Sequence, residues 1–152
     1  MNMLAVRTAQ ASLAARIFES LRNGVGPDRA RALLAEAVET DARCAGVAFA
    51  RLAPRTPDLA HFATVLERWR DGGALAIENV ALDGRTLSFA VTECAYARSY
   101  ADMGLDPELG FILSCSRDEP FARGYSPRLS MQRSRTIMQG APACLFTFTW
   151  DE

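Results

Sequence analysis

The chain has no block of lysine or arginine, and its 17 basic residues face 18 acidic ones for a formal net charge of -1. Nucleic acid is therefore not an expected partner, because polyanion binding needs basic residues massed on one face. No apolar run approaches the roughly 20 residues that cross a bilayer. The alanine-rich N-terminus is interrupted by Arg7, Arg16 and Glu19 and lacks a signal-peptide apolar run with a cleavage site. These absences predict a soluble, cytoplasmic protein with no membrane partner. The four cysteines, Cys44, Cys94, Cys115 and Cys144, contain no Cys-x-x-Cys pair. A zinc ribbon or a thioredoxin-type centre thus lacks local support, and reduced thiols are the simpler reading. No cofactor is expected. Histidine is scarce as well: His61 is the only one, so a Cys–His dyad is not the expected mechanism and a lone surface histidine is.

What is present suits one domain over residues 1–152, with 49% hydrophobic residues to build a core. Residues 1–73 read as helical. Apolar positions recur at helical spacing from Thr8 to Leu52, broken at Asn23-Gly24-Val25-Gly26, and Pro27 sits where a second helix would begin. Leu33, Leu34, Ala37 and Val38 form its apolar stripe. Asp58 is placed to cap a third helix running through Leu59, Phe62, Leu66 and Trp69 to Asp71-Gly72-Gly73.

From Leu75 the period changes. Leu75 to Leu82 and Arg85 to Glu93 are β-prone runs around Asp83-Gly84, a type I′ hairpin signature. A helix is expected from about Cys94 to Met103, and another after the cap and first-turn proline of Asp106-Pro107-Glu108. Ser116-Arg117-Asp118-Glu119 has the form of a capping box, with Pro120 in the first turn and a break beside Cys115. Strands at Arg128 to Met138 and Cys144 to Trp150 close the chain around Gly140-Ala141-Pro142. The predicted class is α+β: N-terminal helices on one face of a four-stranded antiparallel sheet made of two hairpins.

From Glu93 onward, over about the last sixty residues, an ordered series of motifs resembles the L-2-amino-thiazoline-4-carboxylic acid hydrolase family. It runs Glu93-Cys94 with Tyr96, Met103-Gly104-Leu105, Glu108-Leu109-Gly110 and Cys115-Ser116-Arg117-Asp118. Arg133 with Thr136 follows, and then Gly140-Ala141-Pro142-Ala143-Cys144 with Phe146. The resemblance implies a hydrolase that opens a small cyclic amidine or isothiourea, a thiazoline ring, to a carbamoyl amino acid. The family usually carries an acid where this chain has Leu145; if that acid works in the site, the substrate or the activity differs here.

Such ring opening needs a nucleophile at the amidine carbon and a proton for the leaving sulfur. Cys115 is the candidate nucleophile, since a position just before a helix N-cap would lower its thiol pKa. A helix continuing through the region would instead put Cys115 and Asp118 on one face. Asp118 reads as the base for water, as the partner of a cationic amidine, or as no more than a helix N-terminal acid. Glu93 alternates with Leu87, Phe89 and Val91 and is a candidate general acid, or else a strand-end ion-pair partner.

Strand alternation puts Arg133 and Arg135 beside Leu129, Met131 and Ile137, which suggests an anion such as a substrate carboxylate, or else an edge-strand charge or an ion pair with Glu93. Thr136 then falls on the opposite face, so contact from both Arg133 and Thr136 requires a bulge. Tyr96 offers a hydroxyl to the site or packs; Cys94 and Cys144 read as core thiols lining it. Two other readings stay open: a metal held by Cys94, Cys115, Cys144 and Asp118, and a non-catalytic small-ligand-binding module. A homo-oligomer through the first helix is equally open, since intramolecular packing would serve its alanine stripe as well.

Overall fold

A computed structural model describes residues 2–152. Helix α1 spans Met3–Val25, and the Asn2 side chain caps it by accepting from the Ala5 amide at 2.9 Å. Gly26, at φ 85°, turns the chain into α2, Pro27–Ala50, whose first helical residue is the proline. The buried residues of α2 are Ala30, Leu34, Val38, Ala42, Gly46 and Phe49, spaced by three or four as one face of a helix requires.

The expected third helix is two. Asp58 accepts from the His61 amide at 2.7 Å and caps α3, Leu59–Ala63. Thr64 then turns its hydroxyl back onto the His61 carbonyl at 2.7 Å, and the chain restarts as α4, Val65–Arg70.

Strands β1 (Leu75–Asp83) and β2 (Thr86–Cys94) form the first hairpin. Asp83 pairs with Thr86, so the two central turn residues are Gly84 and Arg85. Only Gly84 has positive φ, at 53°. That matches a II′ turn rather than the I′ turn expected from Asp83-Gly84. Helices α5 (Ala95–Asp102), α6 (Pro107–Leu113) and α7 (Asp118–Tyr125) follow, with a 3-10 turn at Cys115–Arg117 joining the last two. Asp106 caps α6 by accepting from the Glu108 amide at 2.8 Å.

The second hairpin is β3 (Leu129–Arg133) with β4 (Cys144–Trp150). β4 pairs antiparallel with β2, giving the order β1-β2-β4-β3 and the expected α+β architecture. Leu87, Phe89 and Val91 of β2 and Cys144, Phe146 and Phe148 of β4 form the buried face. Helices cover that face, with the other left open.

The buried side chains fall into two clusters. One lies between the sheet and α3, α4, α7 and the end of α2, and is built on Phe62, Leu87, Phe89 and Phe148. The other joins α1, α2, α5 and α6 through Ala11, Phe18, Leu34 and Tyr100. Helices α2 and α7 touch backbone to backbone between them. A Cβ on Gly46 would fall 2.0 Å from the Phe121 carbonyl oxygen, and one on Gly124 would fall 2.1 Å from that of Arg43. No helix among the described residues is long and apolar enough to cross a membrane.

Candidate active site

A cavity of about 220 Å³ opens where the two clusters meet, under α2 and α7 and over the inner face of the sheet. Phe49, Trp69, Phe121 and Phe146 form its apolar wall. Cys94, Tyr96, Cys115, Asp118, Arg133, Thr136 and Cys144 also line it, so seven of the eight residues singled out in the sequence are together.

Arg133 stands at the end of β3 with its side chain only 10% exposed. Its Nη1 donates to Asp118 Oδ2 at 2.5 Å and to the Cys115 carbonyl at 2.8 Å. The guanidinium also lies 5.5 Å from the Phe146 ring centroid and 5.6 Å from that of Phe111. Arg133 thus ties β3 to the turn that carries Cys115. Burial pushes the Asp118 carboxyl up to about 6, against the opposing pull of Arg133 and, more weakly, of Arg117 and Arg7.

The Cys115 thiol is held as a neutral group. Burial raises it to about 12, a hydrogen bond to Thr136 opposes that, and the Asp118 charge adds to it. Its Sγ donates to Thr136 Oγ1 at 3.6 Å. The expected low-pKa cysteine ahead of a capping box is therefore not what forms. Ser116 donates its hydroxyl to the Ile112 carbonyl at 2.6 Å instead of capping α7, which has no side-chain cap. A 3-10 turn takes the chain straight into α7, so no row of free N–H groups faces the sulfur.

Thr136 reaches the site without the bulge that a longer strand required. β3 stops at Arg133, where Ser134 turns out to exchange backbone and side-chain hydrogen bonds with Leu145. Thr136 then opens a 3-10 turn, Ile137–Gln139, and is 1% exposed. Arg135 consequently leaves the shared face assigned to it and donates to the Gln139 carbonyl at 2.7 Å. Cys144 Sγ accepts from the Ile137 amide at 3.2 Å, and Cys94 Sγ caps α5 by accepting from the Ala97 amide at 3.4 Å. Burial raises both thiols, and also the Tyr96 phenol, which Arg7 pulls the other way.

Glu93 does not join them. One step along β1, from Ala76 to Ile77, spans two steps along β2, from Glu93 to Val91. The extra residue, Thr92, reverses the alternation, so Cys94 points in and Glu93 points out. Glu93 is 69% exposed with Arg98 at 3.8 Å, which removes the buried general acid. Leu145 is 56% exposed on the open face of the sheet, away from the cavity. An acid in its place would not touch a ligand there.

His61 is not a plain surface histidine. It stacks on Phe49 at 4.8 Å, and its Nδ1 bonds the Tyr125 hydroxyl at 2.9 Å, which in turn donates to the Asp58 carbonyl at 2.9 Å. Three charged cavity residues were not singled out from the sequence: Arg7 of α1, Arg68 of α4 and Arg117. Arg7 shares a helical stripe with buried Ala11 and Phe18, a pattern that marks a guanidinium pointing inward. Among the described residues no three histidine, cysteine, aspartate or glutamate side chains are grouped to hold a metal ion.

An α+β protein with a molecule-sized hollow between sheet and helices, lined by an acid, an arginine and thiols, defines the class. The chain belongs to the L-2-amino-thiazoline-4-carboxylic acid hydrolase family, whose model matches residues 6–148 and so includes most of α1 as well as the C-terminal motifs. No individually curated protein matches the sequence. Among solved structures the fold is similar to the phenol-responsive sensory domain of the transcription activator PoxR, crystallised with phenol. The TM-score is 0.55 at 15% identity, covering 92% of this chain and 73% of that one.

Proposed function

We propose that the protein is a hydrolase that opens a small carboxylated cyclic amidine, of the 2-aminothiazoline-4-carboxylate type, to a carbamoyl amino acid, using Cys115 and Asp118. The observation that carries this reading is the meeting of Cys115, Asp118, Arg133 and Thr136 on one cavity from two separate stretches of chain. Family membership supplies the reaction class.

A resting thiol near 12 is a poor nucleophile, so the substrate must activate it. A protonated amidine brings a positive charge beside the sulfur, which favours the thiolate, and it gives Asp118 a second cationic partner. Asp118 is largely ionised at neutral pH and takes the thiol proton. The sulfur bonds to the amidine carbon, the ring C–S bond breaks, and Asp118 returns the proton to the departing sulfur. Water then loses a proton to Asp118 and attacks the same carbon. Collapse expels Cys115, which is reprotonated, and leaves the urea group of a carbamoyl amino acid.

The variants Cys115→Ala and Asp118→Asn test this. Each should lower kcat for thiazoline ring opening by about a thousandfold or more while the fold, followed by circular dichroism, persists. Wild-type turnover in both would remove the assignment. A second reading, a binding module without chemistry, is favoured by the neutral thiol and by an acid already paired with Arg133. It matches the sensory role named for the PoxR domain. Saturable binding of the ring with no product would establish it.

A further inference from the structure

Two guanidinia outside the proposed chemistry stand in the same cavity. Arg7 and Arg117 both line it, with side chains 22% and 14% exposed. The acid within ion-pair distance of both is Asp41 of α2, itself 64% exposed. Arg117 Nη2 donates to Asp41 Oδ2, and Arg7 Nη1 lies 4.0 Å from that same oxygen. Arg7 Nη1 donates to the neutral Gln10 Oε1 at 2.8 Å. Burial lowers the Arg7 pKa and the charge of Arg117 lowers it further, with Asp41 opposing. Two cations are crowded around one oxygen of one exposed acid.

The wider charge balance has the same sign. Four arginines, Arg7, Arg68, Arg117 and Arg133, line the cavity with one acid, Asp118. Asp41 lies beyond Arg7 and Arg117, in a neighbouring pocket that the two guanidinia also line, and counting it leaves four positive charges against two negative ones. Partly buried cations in excess make a hollow attractive to an anion. Two of the four are committed elsewhere: Arg133 to Asp118 and the Cys115 carbonyl, and Arg68 to the Phe49 ring, 4.9 Å from its centroid. The unfilled capacity lies with Arg7 and Arg117.

We propose that Arg7 and Arg117 form the anchor for the ligand's carboxylate, and that Asp41 is a built-in stand-in which the ligand displaces. The ligand class that follows is a small planar ring with a carboxylate at one end, lying against the aromatic wall with its reactive carbon toward Cys115. This deepens the proposed function and rests on the same cavity being the substrate site. It moves carboxylate recognition from Arg133 to α1 and the turn ahead of α7.

Benzoate and benzamide, alike in size and different in charge, are suitable probes by calorimetric titration of the full chain. Wild type should bind benzoate at least about tenfold more tightly than benzamide, and Arg7→Gln or Arg117→Gln should each cut that preference by about tenfold. Asp41→Asn should act in the opposite direction and tighten benzoate several-fold, because it removes the competing anion. A purely structural cluster would make Asp41→Asn and Arg117→Gln weaken ligand binding and thermal stability alike, and that pattern would overturn the anchor. Equal binding of both probes by wild type would overturn it too. Arg7→Gln alone decides the question if Arg117→Gln does not fold. Loss of the hydrolase reading shows separately: anion preference intact, with no turnover of the thiazoline carboxylate.

Discussion

The two cores of the molecule are built from different materials. On the sheet side, aromatic rings pack on one another: Phe89 on Phe146 at 4.8 Å, Phe62 on Phe148 at 5.0 Å, and Trp69 edge-on to Phe89 at 6.3 Å. On the helix side, alanines and leucines such as Ala11, Ala30, Leu34 and Leu109 let α1, α2 and α6 approach closely. Large rings leave room where they stop, whereas small residues close up. The cavity lies on the seam, with Cys144 and Phe146 belonging to the first core and Cys115, Cys94 and Tyr96 to the second. The proposed nucleophile and its surroundings thus depend on both cores keeping register, through Arg133 and through the α2–α7 contact.

The sharpest way to test that difference is to empty each side. Phe148→Ala, at a site 0% exposed, should cost about 4 kcal/mol, and Leu34→Ala about 3 kcal/mol, measured by urea unfolding. Equal small losses would show that the two cores do not differ as their side chains imply. Gly46→Val attacks the seam itself. Its side chain has to occupy space held by the Phe121 carbonyl, and the expected cost is about 3 kcal/mol. A fully stable variant would contradict the backbone contact between α2 and α7.

A smaller effect is expected from pH. The Asp118 pKa is raised in the fold, from 3.8 to about 6, so the folded state favours the protonated acid. Its contribution is complete below about pH 4 and is lost as pH rises through 6. Wild type should therefore lose roughly 2–3 kcal/mol relative to Asp118→Asn between pH 4 and 7, the 24% exposure of the side chain keeping it from being larger. A constant difference across that range would show that burial does not govern Asp118. Smallest of all, Leu145→Glu should change stability by less than about 0.5 kcal/mol and leave ring-opening activity intact, since the position faces away from the cavity.

The elements with local chemistry were legible in the chain: Asp58 and Asp106 as caps, Pro27 as a first helical residue, and two hairpins in one sheet. Motif order brought out the cavity residues from Cys94 to Cys144. What stayed hidden depended on partners far away in sequence. Glu93 alternates correctly with Phe89 and Val91, but the extra Thr92 opposite β1 reverses it, and nothing local marks that bulge. Ser116 has a capping-box pattern, yet the Ile112 carbonyl one turn earlier claims its hydroxyl. Arg133 and Arg135 looked like one strand face because the end of β3 is set by Ser134 bonding to Leu145 across the sheet. Arg7 was passed over because α1 reads as scaffold, although its spacing from Ala11 and Phe18 turns it toward the interior.

The most direct measurement of the central claim is the mass of the peptide carrying Cys115 after acid quenching within one turnover of 2-aminothiazoline-4-carboxylate. A thiol that attacks the amidine carbon and opens the ring predicts that this peptide gains the mass of one whole substrate molecule, and that the gain disappears in Cys115→Ala. An unmodified peptide alongside accumulating carbamoyl product would contradict nucleophilic attack by Cys115.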